Sequence, residues 1–134
     1  MARLTKTVSV LRAESALYLA KAQQFVEEAR TAHDASRDDA ALLNAIHAAI
    51  SALDAVTAAL AGLRSADPDH QRAVDLLEEV ASGSEEIKTR VRQTRQLLAK
   101  KNMVEYESRR ATARRAAQHP DQRPVANLLR LAGR

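Results

Sequence analysis

The chain has no cysteine and no tryptophan, and only two tyrosines and one phenylalanine. Without thiols, a disulfide framework and a thiolate zinc site are both excluded. Without aromatic platforms, base stacking of the kind used by single-strand binders is excluded as a main mode of recognition. Glycine and proline are scarce as well, three of each in 134 residues, so few places break a helix. Long β-branched runs are missing, and alanine and leucine, both strong helix formers, dominate the apolar set. These absences predict an all-α fold. The three glycines are scattered, so there is no phosphate-binding loop. His33, His47, His70 and His119 lie on different segments and no HExxH motif occurs, so neither a metal nor a cofactor is expected. The N-terminal stretch has charges at Arg3, Lys6 and Arg12 but no apolar core, which does not fit a signal peptide. No run approaches the roughly 18 apolar residues of a membrane span. A cytoplasmic protein with no membrane contact is expected.

What is present is a chain long enough for one domain, 1–134, able to bury a core without staples. The net charge of +4 is unevenly spread. Residues 1–87 carry 8 Lys+Arg against 14 Asp+Glu, a net of −6, and residues 88–134 carry 13 against 3, a net of +10. Such asymmetry points to a polyanionic partner, most often nucleic acid. An acidic helical hairpin packed beside a basic one would give the same asymmetry. The basic segment, about 109–134, holds Arg109, Arg110, Arg114, Arg115, Arg123, Arg130 and Arg134. Clustered arginine gives salt-dependent affinity for a phosphate backbone without sequence preference.

Helical spacing marks the elements. Leu4, Val8, Leu11, Ser15, Tyr18, Ala22, Phe25 and Ala29 form one face, which predicts a first helix over 4–32. Ser36 is the expected N-cap of a second helix reaching Leu63, with Asp38 and Asp39 in its first turn. Its inner stripe is Leu42, Ile46, Ala49, Leu53, Val56, Leu60 and Leu63. Asp67 or Asp69 caps a third helix over 70–81, with Val74 and Leu77 inside. Ser84 starts a fourth, with Ile87, Val91, Thr94 and Leu98 inside. This one ends near Arg109, with Thr112 capping a fifth helix, or runs through to Gln118. Pro120 interrupts whatever follows, and Pro124 opens a short last helix. Two long helices on a short connection pack antiparallel, with later helices completing a bundle of four to five. Alanine-rich faces bury little area each, so dimerisation through helix one, two or four is expected.

Two polar faces are candidates for binding. His47 and Asp54 share a face of the second helix, as a half-buried pair or as one wall of a cleft. Arg95, Asn102, Tyr106 and Arg109, spaced 7, 4 and 3, share a face of the fourth, with Lys101 at its border. Guanidiniums, an amide and a phenol on one face suit phosphate and sugar oxygens, or simply solvent.

Four segments, YLAKAQQFVEEA (18–29), NAIHAAISALDAV (44–56), DPDHQRAVDLLEEV (67–80) and KNMVEYES (101–108), together resemble small bacterial HEPN-domain proteins. The resemblance spans about residues 17–108. It implies a HEPN-like helical bundle, a homodimer and a place in a toxin–antitoxin or defence system. Many family members are metal-independent endoribonucleases, some paired with a nucleotidyltransferase-type antitoxin. The family signature is Arg, four to six residues, then His, often with Asn after the Arg. The matching stretch here is Lys101-Asn102 to Tyr106. Asn102 fits, Lys101 stands for Arg and Tyr106 for His. Lysine lacks the bidentate fork, and tyrosine, titrating near 10, is a poor general base at neutral pH. RNA or partner binding with a degenerate ribonuclease motif is the first expectation. An active ribonuclease using Arg114 and His119, supported by His47 and Asp54, is the alternative. A scaffold protein without nucleic-acid contact is the third. Arg64 with His70 also matches the spacing. With 16 Arg and four His in the chain, one or two such matches arise by chance.

Overall fold

A computed structural model describes residues 6–81 and 83–118, with side chains as far as Lys101. The described chain is mostly helical, as composition predicts. It runs β1 (Thr7–Ser9), a 3-10 turn (Arg12–Glu14), α1 (Ser15–Asp34), α2 (Asp38–Ala61), β2 (Leu63–Ser65), α3 (Gln71–Val80) and α4 (Glu85–Gln118). It divides into two compact units, Met1–Ala99 and Lys100–Arg134.

The expected first helix is shortened at its start. Thr7–Ser9 forms a strand, antiparallel to β2, in the register Thr7↔Ser65, Val8↔Arg64, Ser9↔Leu63. The short β-branched stretch Thr7, Val8, Val10 suits a strand. The helical spacing of Leu4, Val8 and Leu11 is too brief to decide against it.

The connection between α1 and α2 corrects a second expectation. Ser36 does not cap α2. It closes α1, with φ at +58° in the left-handed region. Its N–H donates to the His33 carbonyl at 3.0 Å, and the Arg37 N–H donates to the Ala32 carbonyl at 2.8 Å. These are the paired bonds of a Schellman motif, which satisfies carbonyls that would otherwise be orphaned at the helix end. Asp38 and Asp39 do sit in the first turn of α2, at the positive end of its dipole.

Gly62 ends α2 at Ala61, short of the expected Leu63. Its φ is 64°, a conformation that favours glycine. The Gly62 carbonyl accepts a hydrogen bond from the Val10 N–H at 3.0 Å. A Cβ at Gly62 would stand 3.3 Å from the Val10 carbonyl oxygen. Leu63 therefore leaves the helix as the first residue of β2.

The later helices start as their sequences predict. The Asp69 carboxylate accepts the Gln71 N–H at 3.0 Å, and the Ser84 hydroxyl accepts the Ile87 N–H at 3.1 Å. Helix α4 then continues unbroken to Gln118, so Thr112 does not begin a separate helix. Pro120 and Pro124 lie outside the described residues.

The core of the first unit is Ile46 and Leu53 of α2, Ala73, Val74 and Leu77 of α3, and Val91 and Leu98 of α4. Helix α2 is buried on two faces. Ile46, Leu53 and Thr57 form one, and Ala48, Ser51, Ala55 and Ala58 the other. The predicted single stripe is thus only partly inside: Val56 is 40% exposed and Leu60 49%. Among the described residues, α2 is the one helix long and apolar enough to cross a bilayer by length and composition. A core helix packed on two faces has the same composition.

Candidate functional site

Helices α1 and α2 run antiparallel, which brings Phe25 onto His47 with ring centroids 5.3 Å apart. Lys21, one turn before Phe25, is close enough to act on Asp54. His47 is exposed and Asp54 half-buried. Burial pushes the Asp54 carboxyl up from 3.8 to about 6, against the opposing pull of Arg64 and Lys21. His47 and Asp54 thus both meet α1, through Phe25 and Lys21. The histidine is occupied with an aromatic ring, and the aspartate is a group able to exchange a proton near neutral pH. Arg64 comes from β2 and acts on Asp54 because Gly62 turned the chain out of the helix.

Arg95 lies at the seam of α3 and α4. One guanidinium nitrogen donates to the Asp75 carboxylate at 2.6 Å and also to the Glu78 carboxylate. The other donates to the Gln71 side-chain carbonyl at 3.2 Å, while the Gln71 amide donates to the Arg95 backbone carbonyl at 3.1 Å. Arg72 adds a second bond to Asp75, at 3.1 Å. Burial works to raise the Asp75 carboxyl, but the bonds from Arg95 and Arg72 outweigh it and hold it below its ordinary value. Sequence spacing placed Arg95 on one face with Asn102 and Tyr106, either as a phosphate ligand or as a solvated charge. In this structure its donors are turned to α3. Asp75 and Glu78, three residues apart on α3, were the available signal for this clamp.

The second unit contains most of the basic candidates named from the sequence. Lys101, Asn102, Tyr106, Arg109, Arg110, Arg114 and Arg115 all fall within the continuous helix α4. Asn102, Tyr106 and Arg109, at i, i+4 and i+7, share one helical face. The four arginines from 109 to 115 fall within about 9 Å of helix axis, at 1.5 Å per residue. His119 lies outside the described residues, so the Arg114/His119 pair is not placed. Among the described residues no group of three or more His, Asp or Glu side chains is arranged to hold a metal ion.

Sequence reasoning also missed an exposed apolar flank on the hairpin of α1 and α2, carried by Leu19, Val26, Val56 and Leu60. A single helical stripe on α2 assigns Val56 and Leu60 inward. Compared with known protein families, with curated proteins and with solved structures, the chain matches none of them.

Proposed function

We propose that the chain is a HEPN-like helical module that binds structured RNA through the basic stretch of α4 and does not cut it. The observation that carries this reading is the unbroken helix over residues 100–118. It carries Lys101, Asn102 and Tyr106, where the resemblance puts the family's motif, on one helical rod with Arg109, Arg110, Arg114 and Arg115. That rod has 6 Lys+Arg against 2 Asp+Glu over residues 100–118. Four arginines within two turns of one helix concentrate positive charge where a phosphate backbone can approach. Lys101 and Tyr106 supply charge and a hydrogen bond, but no base poised near pH 7. A role in a toxin–antitoxin or defence system, with a cognate protein partner, belongs to the same proposal.

Electrophoretic mobility shift with a structured RNA at low and high salt tests it. Binding is expected at low salt and weakens as salt rises, each phosphate contact contributing roughly one unit or less to the log–log slope. The double variant Arg109→Gln/Arg110→Gln is expected to reduce that slope by about one to two units. Absence of any shift at low salt removes RNA as the partner. Cleavage of total RNA in the presence of EDTA, lost in His119→Ala, would instead establish the active-ribonuclease reading.

A further inference from the structure

Beside the seam of α3 and α4, a groove runs along α4 over residues 87–96. At 1.5 Å per residue it is about 13 Å long. Its volume is about 510 Å³, within the range of ligand-binding clefts. Half-buried Ile87 and buried Val91, one turn apart, supply its apolar part. Lys88 and Arg92, also one turn apart, line it next to them, with Gln96 a further turn on. Gly83 lines it as well, and a Cβ there would meet nothing within 4 Å, so the groove is open at that point.

The chemistry of the lining selects the occupant. Its charges are Lys88, Arg92 and Arg95 against Glu78. Glu78 is bonded to Arg95, so it is not free to repel an incoming anion. Lys88 is held by Glu85 at 3.3 Å, with the side chains 66% and 90% exposed. An exposed pair of this kind contributes little and is readily exchanged. Arg92 enters no ion pair among the described residues. The other carboxylates of this region, Asp75, Glu79, Glu85 and Glu86, do not line the groove. Two cations about 6 Å apart therefore stand beside two aliphatic side chains. A phosphate backbone makes no use of Ile87 and Val91, and no aromatic side chain lines the groove to stack a base. A helix with an apolar stripe and carboxylates four residues apart at its edge satisfies both halves of the lining.

We infer that this groove is the docking site for an acidic amphipathic helix of a partner protein, its apolar side chains seated on Ile87 and Val91 and its carboxylates paired with Lys88 and Arg92. The inference rests on the partner-protein part of the proposed function and not on RNA binding by α4.

The test titrates the full chain into a fluorescein-labelled peptide of about 14 residues, long enough to span the groove. The peptide has leucines at helical spacing and glutamates four residues apart beside them. A twin carries lysine for each glutamate. Fluorescence anisotropy is expected to give a Kd on the order of 10 µM for the acidic peptide and no binding for the twin. Amide resonances of residues 87–96 are expected to move. Lys88→Glu/Arg92→Glu is expected to weaken binding at least about 10-fold, with unchanged helical circular dichroism. Ile87→Ala is expected to weaken it about 5-fold and to leave the RNA mobility shift unchanged. Arg109→Gln/Arg110→Gln, the variant that tests RNA binding, is expected to leave peptide affinity unchanged, so each reading can fail alone. Absence of acidic-peptide binding up to about 1 mM overturns the inference, including the case of a groove already filled by this chain's own residues. Equal binding of the lysine twin overturns it too, as does binding that survives the double charge reversal. An RNA shift lost in Ile87→Ala overturns it and assigns the groove to nucleic acid. A wild-type dimer that dissociates in Lys88→Glu/Arg92→Glu overturns it and assigns the groove to a second copy.

Discussion

Where α1 meets α2, the buried residues are small: Ala22 and Ala32 on one helix, Ala48, Ser51, Ala55 and Ala58 on the other. Where α2, α3 and α4 meet, Ile46, Leu53, Val74, Leu77, Val91 and Leu98 fill the space, and Arg95 closes the rim by gripping Asp75 and Glu78. The first seam is held by close approach of backbones, with little apolar area per residue. The second is held by area, with a charged clamp at its edge. The difference explains why the apolar flank lies on the hairpin side. A seam of alanines cannot occupy all the apolar surface of two long helices, so the larger residues beside it stay exposed. It also sets how each seam responds to change. A close-packed alanine seam tolerates no added volume, and a leucine-rich core tolerates no lost volume.

The largest effect is expected from Ile46→Ala, because Ile46 is fully buried where α2 meets the leucine-rich core. It should cost about 3–4 kcal/mol, read as a lower denaturant midpoint with unchanged slope. A loss below about 1 kcal/mol would mean that the second seam does not dominate stability.

Asp54 comes next. Its folded value lies above its unfolded one, so folding favours the protonated form. Stability from this group is present below about pH 4 and is lost as pH rises through about 6. Asp54→Asn should therefore stabilise the fold near pH 7, by at most about 3 kcal/mol, and leave it unchanged near pH 4. Equal effects at the two pH values would show that the Asp54 face is better hydrated than its burial implies. Asp75 has the opposite sign, since its carboxylate is favoured in the fold and its contribution is lost in acid.

Ala58→Leu tests the hairpin seam by overfilling it. Ala58 is fully buried, and the substitution should cost about 2 kcal/mol by thermal melt. Little or no cost would show that the α1 and α2 backbones can separate to admit a larger side chain.

The smallest effect is expected from Arg95→Met, which removes the clamp but keeps the aliphatic stem. The side chain is 34% exposed, so a loss of about 1 kcal/mol is expected, shrinking as salt is added. RNA binding by the same variant separates two roles. Unchanged affinity leaves Arg95 as a structural clamp, and reduced affinity makes it a contributor to RNA binding.

Much of the helical content was legible in the sequence. The starts of α3 and α4 were readable because Asp69 and Ser84 are local caps acting two or three residues away. The helical nature of α1 and α2 followed from scarce glycine and proline and from regular apolar spacing. The start of the chain was misread because Thr7–Ser9 becomes a strand only when β2 offers its edge, and that partner lies more than fifty residues away. Ser36 was misread because a serine before two aspartates suits an N-cap. The Schellman geometry that uses it to end α1 depends on where the chain must turn. At the site, the polar face of His47 and Asp54 was visible from spacing. Its Phe25 stack and its Arg64 neighbour were not, because both come from other elements.

Composition, periodicity and charge order by themselves determined that this chain is helical, that its acidic and basic residues are segregated, and that Asn102, Tyr106 and Arg109 share a helical face. These are local properties of a 3.6-residue repeat and of a count. Only the tertiary structure decided that α2 is buried on two faces, that Arg95 is gripped by α3, and that Val56 and Leu60 face outward. Each depends on which neighbours arrive from elsewhere in the chain, and burial is a property of those neighbours as much as of the residue.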